Sequence, residues 1–277
     1  MIKAAEKIWL EAAISYLAKH FEPIFLPSHD LSHHLRVWRI SKMILKEIAV
    51  QNQHIDQDLA GAVMLASLFH DAGMVVTRKP EHGAESTVVY KDFICRGNVP
   101  KPTLDDHILE AIEFHDRKEE FFYQPFTFED IPDVQTIISI ADDIDALGTI
   151  GIYRYAEIYM VRDISAHSLG IRILENVTSR YNNFVKACSL FPALIERTKD
   201  KYREIVNFFD LYNQQLLLEP VPEEVTSGPI GVTNLIKEFS VNGKIRPENF
   251  PENLSEHEPP GFVADFFNKL AECLDEN

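Results

Sequence analysis

The sequence predicts an all-α protein, because apolar residues recur at helical spacing along most of the chain and no convincing run of alternating strand residues appears. Residues 2–20 have the pattern of an amphipathic helix, and a second such helix follows residues 28–32. The segment 59–74 is almost wholly apolar until it reaches His70-Asp71, and Gly73 then provides a stop signal. Further helices are expected at about 80–95, 103–115, 134–142, 151–162, 167–187 and 192–218.

The pattern changes after Leu218. Residues 219–261 contain most of the prolines and glycines in the C-terminal part of the chain and show little helical periodicity. Residues 262–274 are expected to form a short amphipathic helix. We therefore expect two parts, a helical domain over 1–218 and an irregular, extended C-terminal arm over 219–277. The arm would wrap the main domain or be exchanged with a partner, so a homodimer is a reasonable expectation.

The charge of the chain limits its partners. A formal net charge of -16 over 277 residues repels nucleic-acid backbones and acidic lipid surfaces, and the sequence has no dense basic run. A small phosphorylated substrate stays compatible with this charge, because a bound divalent cation reverses the local field.

No stretch approaches the roughly 18–20 uncharged apolar residues of a membrane span, and the N-terminus lacks the apolar core of a signal peptide. Three widely separated cysteines suggest no disulfide framework, which favours the cytoplasm.

Four histidine and aspartate residues carry the chemical signal. His33 begins one helix, His70-Asp71 ends the next, and Asp142 lies deep in a third apolar helix. A single buried His-Asp pair is more simply explained as a satisfied polar pair, but four such residues on separate helices indicate a metal site inside a bundle. Imidazole and carboxylate ligands suit Mn²⁺, Fe²⁺, Ni²⁺ or Mg²⁺, and the lack of cysteine ligands argues against a structural zinc site.

The order of these residues resembles the signature of the HD superfamily of metal-dependent phosphohydrolases. The flanking segments 33–38, 69–73 and 141–152 are also similar to that family, and the resemblance covers roughly residues 25–160. It implies an HD-type helical bundle with His33, His70, Asp71 and Asp142 as metal ligands. The family ligand stands three residues before an Arg-Val pair, which selects His33 over His34; the latter points about 100° away around the helix. His29 is expected to cap the helix or to support the site.

His82 and His115 leave the number of ions open. In the dinuclear branches of the superfamily, two further histidines lie between the His-Asp pair and the last aspartate, and these two residues occupy similar places. Asp71 would then bridge two ions. In a mononuclear site, His82 and His115 would instead be donors that support the metal ligands, or phosphate contacts. The sequence leaves both arrangements open.

The resemblance implies hydrolysis of a small phosphate ester or nucleotide by metal-activated water. His82, His115 or nearby Glu113 would transfer protons or orient the water, and Asp145, which shares a helix face with Asp142, would have a supporting or substrate-orienting role. The cations expected to bind the substrate phosphate are Arg36, Lys79 and Arg154, with Arg78 and Lys118 as further candidates.

Two departures from the family pattern narrow the expectation. Asp143 is acidic where relatives commonly carry a basic or neutral residue, which disfavours highly charged substrates. Residues 116–120 contain no Gly-Tyr-Pro loop, which argues against a cyclic dinucleotide phosphodiesterase. Two alternatives to a phosphohydrolase stay open: a di-iron HD-type oxygenase and a non-catalytic metal-binding regulatory protein.

Overall fold

The computed structural model describes residues 1–50, 54–79, 82–116, 133–219, 221–254 and 259–275. Twelve α-helices and no strands occur within these ranges, which confirms the all-α prediction. The helices are α1 (Ile2–Phe21), α2 (Leu31–Val50), α3 (Gln57–Phe69), α4 (His82–Arg96), α5 (Asp105–Phe114), α6 (Val134–Asp145), α7 (Gly148–Val161), α8 (Ala166–Ala187), α9 (Pro192–Leu216), α10 (Gly228–Ile236), α11 (Phe250–Leu254) and α12 (Gly261–Asp275). The predicted phosphate contact Lys118, and most of the segment 116–120, lie outside the described residues.

The chain divides into two compact units. The first consists of Met1–Asp145 with Asn183–Ile195, and the second of Ala146–Asn182 with Glu196–Asn277. The predicted boundary at residue 218 does not coincide with this division, since the second unit begins directly after α6.

Helix α3 is the centre of the first unit. Every residue from Leu59 to Phe69 is buried, and α1, α2, α5 and α6 all pack against this helix. The helix begins where the Asp56 side chain accepts a hydrogen bond from the backbone N–H of Leu59 (2.8 Å), which satisfies one of the first free amide groups. Because α3 is apolar on all sides, its neighbours enclose it completely, and the polar pair at its C-terminal end is also buried.

The second unit contains α7 and the C-terminal segment that was expected to be an irregular arm. Residues 219–261 depart from that expectation, because they include α10, a π-helical turn at Lys237–Asn242, a 3₁₀ turn at Pro247–Asn249 and α11. Helices α10 and α12 both pack against α7. Aromatic rings form the centre of this packing: the Phe250 ring lies 5.9 Å from Tyr153, 5.5 Å from Phe239 and 5.4 Å from Phe267. The short helices bury their apolar residues within the unit, although prolines and glycines obscure their periodicity.

One stretch, Gln57–Val75, is long and apolar enough to cross a membrane by length and composition alone. The stretch contains Asp58 and Asp71, so it is not an uncharged apolar run of the kind whose absence the sequence predicted. About 89% of the stretch is buried inside the protein, however, as in the core helix of a globular domain.

Candidate metal centre

The ends of five helices in the first unit bring the predicted ligands together. His33 lies in the first turn of α2, His70 caps the C-terminus of α3, and Asp71 follows it. His82 is the first residue of α4, and His115 caps the C-terminus of α5. Asp142 and Asp145 occupy the last turn of α6. All seven side chains are buried, so the apolar helices place their few polar residues at one internal position.

His33, His70, Asp71 and Asp142 form a first cluster. The Nε2 atoms of His33 and His70 lie 3.1 Å apart, and each is 3.4 Å from Oδ2 of Asp71. Nε2 of His33 is also 3.7 Å from Oδ1 of Asp142. One potential ligand atom from each residue lies within 4.8 Å of all the others, so the four residues can hold one metal ion.

Asp71, His82 and His115 form a second cluster beside the first. The Nε2 atoms of both histidines lie 3.0 Å from Oδ1 of Asp71 and 3.3 Å from each other. The two oxygens of the Asp71 carboxylate therefore face different groups, Oδ2 towards His33 and His70 and Oδ1 towards His82 and His115. Each cluster could hold a metal ion, so the Asp71 carboxylate lies between two candidate cation sites.

The hydrogen bonds behind the four rings fix their tautomers. Nδ1 of His70 lies 2.9 Å from the Ser67 carbonyl, Nδ1 of His82 lies 2.8 Å from that of Lys79, and Nδ1 of His115 lies 2.7 Å from that of Ile112. A carbonyl can only accept, so each Nδ1 carries the proton and each neutral ring presents an Nε2 lone pair to the site. Nδ1 of His33 donates in the same way to the Asp145 carboxylate (2.9 Å).

Four lone pairs and the Asp71 and Asp142 carboxylates thus converge on a buried volume, which requires positive charge between them. Donor atoms that share one ion through bonds of about 2.0–2.1 Å lie roughly 3–4 Å apart, as the Nε2 and carboxylate oxygen atoms do here. Ligand histidines in proteins commonly donate their other ring nitrogen to a carbonyl or a carboxylate, and all four do so here. The donor set therefore fits a divalent metal in both clusters.

The pKa values of these groups show the same demand for positive charge. Burial raises the pKa of Asp71, but the surrounding histidines, His70 first, outweigh burial and hold it well below its ordinary value. Burial likewise lowers the pKa of His82, but the hydrogen bond and charge of Asp71 raise it to about 9. Burial lowers the pKa of His115, so the second cluster favours one proton rather than two. In the absence of metal, a proton on His82 supplies positive charge to this cluster.

Asp145 and Arg36 support the first cluster from behind. The Arg36 guanidinium donates to both Asp145 oxygens, from Nε at 2.8 Å and from Nη2 at 3.1 Å, and it also donates to the Ser32 hydroxyl. Arg36 is buried, with 5% of its side chain exposed. The structure therefore gives it a contact other than the predicted substrate phosphate. The Asp145 carboxylate accepts a hydrogen bond from Nδ1 of His33, which agrees with a supporting role, and its role towards substrate stays a prediction.

Two glycines permit the close approach of α4. A side chain at Gly73 would overlap the backbone of His82 and Ser86, and one at Gly83 would press on the Glu113 carbonyl. The Ser86 hydroxyl accepts from the Gly73 N–H (2.7 Å), which fixes the turn after Asp71 to α4. The approach places His82 beside both Asp71 and His115, a convergence that no local sequence pattern reveals.

The remaining predicted residues lie in less direct positions. The Lys79 side chain is exposed, but its carbonyl oxygen orients His82. Glu113 is half-buried on α5, and Asp143 is buried on α6. His34 packs against Phe21, with ring centroids 5.0 Å apart, and is not a member of either cluster. Arg154 is buried on α7 in the second unit, and its predicted contact with substrate stays a prediction.

His29 lies beside the first cluster, the position expected of a residue that supports the site and not of one that only caps the helix. It ends the 3₁₀ turn at Pro27–His29, and its Nε2 is 4.0 Å from Oδ2 of Asp71. Its ring contacts that of His33 edge to face, with centroids 5.4 Å apart.

Residues 30–147 match the family model described as the HD domain. Comparisons with curated proteins and with solved structures gave no match. The matched range contains all the members of both clusters and the supporting pair Arg36–Asp145, whereas His29 lies one residue outside it. The family match and the buried His/Asp clusters agree with the resemblance noted in the sequence, and residues 30–147 are therefore an HD domain, the helical domain of a superfamily of metal-dependent hydrolases.

Proposed function

We propose that this protein is a phosphohydrolase that uses two divalent ions to hydrolyse a small phosphate ester or nucleotide. The observation that carries the proposal is the Asp71 carboxylate, whose two oxygens face two separate pairs of histidine Nε2 atoms. Paired ions about 3.5–4 Å apart are typical of enzymes that transfer phosphoryl groups to water. Of the two arrangements left open by the sequence, this geometry favours the dinuclear one.

In this proposal His33, His70, Asp71 and Asp142 hold the first ion, and Asp71, His82 and His115 hold the second. When bound, divalent ions lower the pKa of coordinated water and neutralise charge on a phosphoryl group. The protein residues supply the fixed geometry. The backbone carbonyls of Ser67, Lys79 and Ile112 keep protons on Nδ1, so that the Nε2 atoms remain free to bind metal.

Arg36 and Asp145 fix the orientation of one ligand of the first cluster, His33. Arg36 neutralises Asp145 through two hydrogen bonds, and Asp145 in turn fixes the ring of His33. Arg36, Asp145 and His33 are all buried. Water is therefore excluded from the hydrogen bonds that orient His33, which keeps these bonds strong. We propose that Arg36 acts by positioning Asp145, and that Lys79 and Arg154 are the better candidates for binding substrate phosphate.

A small substrate agrees with the charge of the protein. The net charge of -16 opposes binding of long nucleic acids, whereas a compact phosphate ester interacts mainly with the local positive charge of the ions. All three cysteines, Cys95, Cys188 and Cys273, are free thiols, which is compatible with the proposed cytoplasmic location.

The test is a screen of phosphorylated metabolites with protein reconstituted separately with Mn²⁺, Fe²⁺, Ni²⁺ and Mg²⁺. We expect phosphate release from at least one phosphomonoester, cyclic phosphodiester or nucleotide, and no release by the Asp71→Ala variant. The matched control is Asp106→Ala, which removes an exposed carboxylate on α5. Turnover by Asp71→Ala or by metal-stripped protein would contradict the proposal.

The second cluster also favours one other candidate, a di-iron oxygenase, because an Asp71-bridged pair of ions can equally consist of two irons. An anaerobic assay separates the two. Hydrolysis of a phosphate ester without O₂ supports the phosphohydrolase, and O₂ consumption with an organic substrate in the absence of phosphate release supports the oxygenase.

A further inference from the structure

His29 differs from the four ligand histidines in the group that contacts its Nδ1 atom. The Nδ1 partners of His33, His70, His82 and His115 are a carboxylate or backbone carbonyls, which can only accept a hydrogen bond. The partner of His29 is the hydroxyl of Ser28, at 2.7 Å. A hydroxyl can donate as well as accept, so a neutral His29 ring can carry its proton on Nε2.

The Nε2 atom of His29 lies close to Oδ2 of Asp71 without a direct hydrogen bond between the two. The 4.0 Å separation between His29 Nε2 and Asp71 Oδ2 is too long for a direct hydrogen bond. A carboxylate and a phosphoryl oxygen both only accept hydrogen bonds, so a phosphoryl oxygen placed here would contact Nε2 of His29 and not Asp71. His29 also lies outside the set of mutually close ligand atoms that forms the first cluster.

His29 is also more accessible than the ligand histidine beside it. About 11% of its side chain is exposed, against 0% for His33. The 3₁₀ turn at Pro27–His29 holds it beside the start of α2, and Ser28 is fully buried. His29 is therefore more exposed than the four residues of the first cluster, whose side chains are 0–8% exposed.

We propose that His29 is a substrate-binding residue that donates a hydrogen bond from Nε2 to an oxygen of the substrate phosphoryl group. Ser28 positions it by donating from Oγ to Nδ1, which keeps the proton on Nε2. This inference rests on the proposed phosphohydrolase function and adds to it the group that recognises phosphate. The competing interpretation is that His29 is a further metal ligand, and the two interpretations predict different effects on metal content.

The experiment uses full-length, Mn²⁺-loaded protein and inorganic phosphate as the probe. Phosphate affinity is measured by calorimetry, and the manganese content per chain is measured separately for each variant. The variants are His29→Ala, His29→Gln and His29→Asn. The amide nitrogen of Gln can occupy the place of Nε2, whereas the shorter Asn places its amide near Nδ1 and is the matched control. Ser28→Ala tests the positioning hydroxyl.

We expect His29→Ala and His29→Asn to weaken phosphate binding by roughly tenfold to a hundredfold, the effect of one hydrogen bond to a charged group. We expect His29→Gln to restore most of the affinity and Ser28→Ala to weaken it by a smaller factor. The manganese content should stay at the wild-type value in all four variants. In turnover assays, the loss in His29→Ala should be recovered in part by His29→Gln.

Two results would overturn the inference. Loss of manganese from His29→Ala would identify His29 as a metal ligand, and unchanged phosphate affinity in that variant would show that it does not contact phosphate. Failure of the proposed function would give a different result. If the wild-type protein binds phosphate through His29 but hydrolyses no phosphate ester, the His29 contact is supported and the enzymatic function is contradicted. Hydrolysis that does not depend on His29 would support the enzymatic function and exclude the contact between His29 and phosphate.

Discussion

The Nδ1 atom of His33 lies 2.9 Å from Oδ2 of Asp145, although 112 residues separate the two along the chain. Because Asp145 lies one turn after Asp142 on α6, the same helix end supplies one predicted ligand and the support for another. The contact fixes both the tautomer and the orientation of His33. Metal affinity in the first cluster should therefore depend on a residue that does not itself belong to the ligand set.

Replacing Asp145 by Asn should weaken the first metal site. The amide keeps the shape of the side chain but offers one acceptor to three donors, so either His33 or Arg36 loses its partner. Loss of such a supporting group typically costs 10–100-fold in metal affinity. Titration of metal-free protein with Mn²⁺ should show one weakened binding step and one unchanged step. Asp106→Asn, an exposed change on α5, is the control, and equal weakening of both steps would contradict a role specific to His33.

The number of ions bound provides a second prediction. Wild-type protein should bind two Mn²⁺ per chain, and the double variant His82→Ala, His115→Ala should bind one, because only the second cluster loses its imidazoles. Asp71→Ala should weaken both sites. Elemental analysis after removal of excess metal gives the ratio. His107→Ala, which removes an exposed histidine from α5, is the control, and a wild-type ratio of one would exclude the dinuclear site.

Much of the fold followed from local pattern. Helices such as α1, α2 and α8 have long amphipathic repeats, and their observed bounds fall within a few residues of those expected. Residues 219–261 could not be assigned in the same way, because α11 has only five residues and the turn at Lys237–Asn242 is π-helical. Segments this short owe their structure to packing, here around Phe250, and packing is not visible in a periodicity.

The site was predictable in composition but not in its contacts. Histidines and aspartates in apolar segments indicated a metal site, since polar residues are costly there, and the resemblance to the HD superfamily selected His33 as its first ligand. The choice between one and two ions depended on which way the two oxygens of Asp71 face and on backbone carbonyls behind His82 and His115. Arg36 was assigned to substrate because a sequence shows a positive charge but not its partner. Such contacts join residues that are far apart in the chain, and the spacing of residues in the sequence does not reveal them.

Arg36 yields a third prediction, about stability. Arg36→Met would leave the buried Asp145 carboxylate without its guanidinium, and breaking a buried pair in this way costs on the order of 3–5 kcal/mol. Arg36→Lys should recover only part of the loss, because an ammonium group cannot form the two parallel hydrogen bonds. Urea unfolding of metal-free protein measures both. Wild-type stability combined with weaker substrate binding would instead support the originally expected phosphate contact.

Gly73 tests the close approach of α4. Gly73→Ala would push a methyl group into the backbone of His82 and Ser86, which cannot move away without shifting the helix. We expect a loss of about 1–3 kcal/mol in the free energy of unfolding and weaker metal binding in the second cluster. Gly261→Ala is the matched control, since nothing lies within 4 Å of a side chain added there. Unchanged metal affinity in Gly73→Ala would show that His82 does not depend on this approach.

The last prediction concerns the pH dependence of stability in metal-free protein. The pKa of His82 rises from its ordinary value of 6.5 to about 9 in the folded protein, because its hydrogen bond to Asp71 and the Asp71 charge outweigh burial. A raised folded-state pKa contributes stability that is fully present below 6.5 and is lost as the pH rises through 9. At about 1.4 kcal/mol per pKa unit, the contribution is at most about 3.5 kcal/mol.

His82→Gln should therefore destabilise the metal-free protein more at pH 6 than at pH 9.5, because the wild-type protein has lost its proton at the higher pH. Asp71 stays ionised throughout this range, since its pKa is lowered, and so it contributes no change of its own. Urea unfolding in the presence of a chelator, at intervals across this range, gives the difference between the two proteins. His107→Gln should show no such trend. A difference that stays constant from pH 6 to 9.5 would mean that Asp71 does not hold a proton on His82, and the positive charge inferred for the second cluster would then have no support.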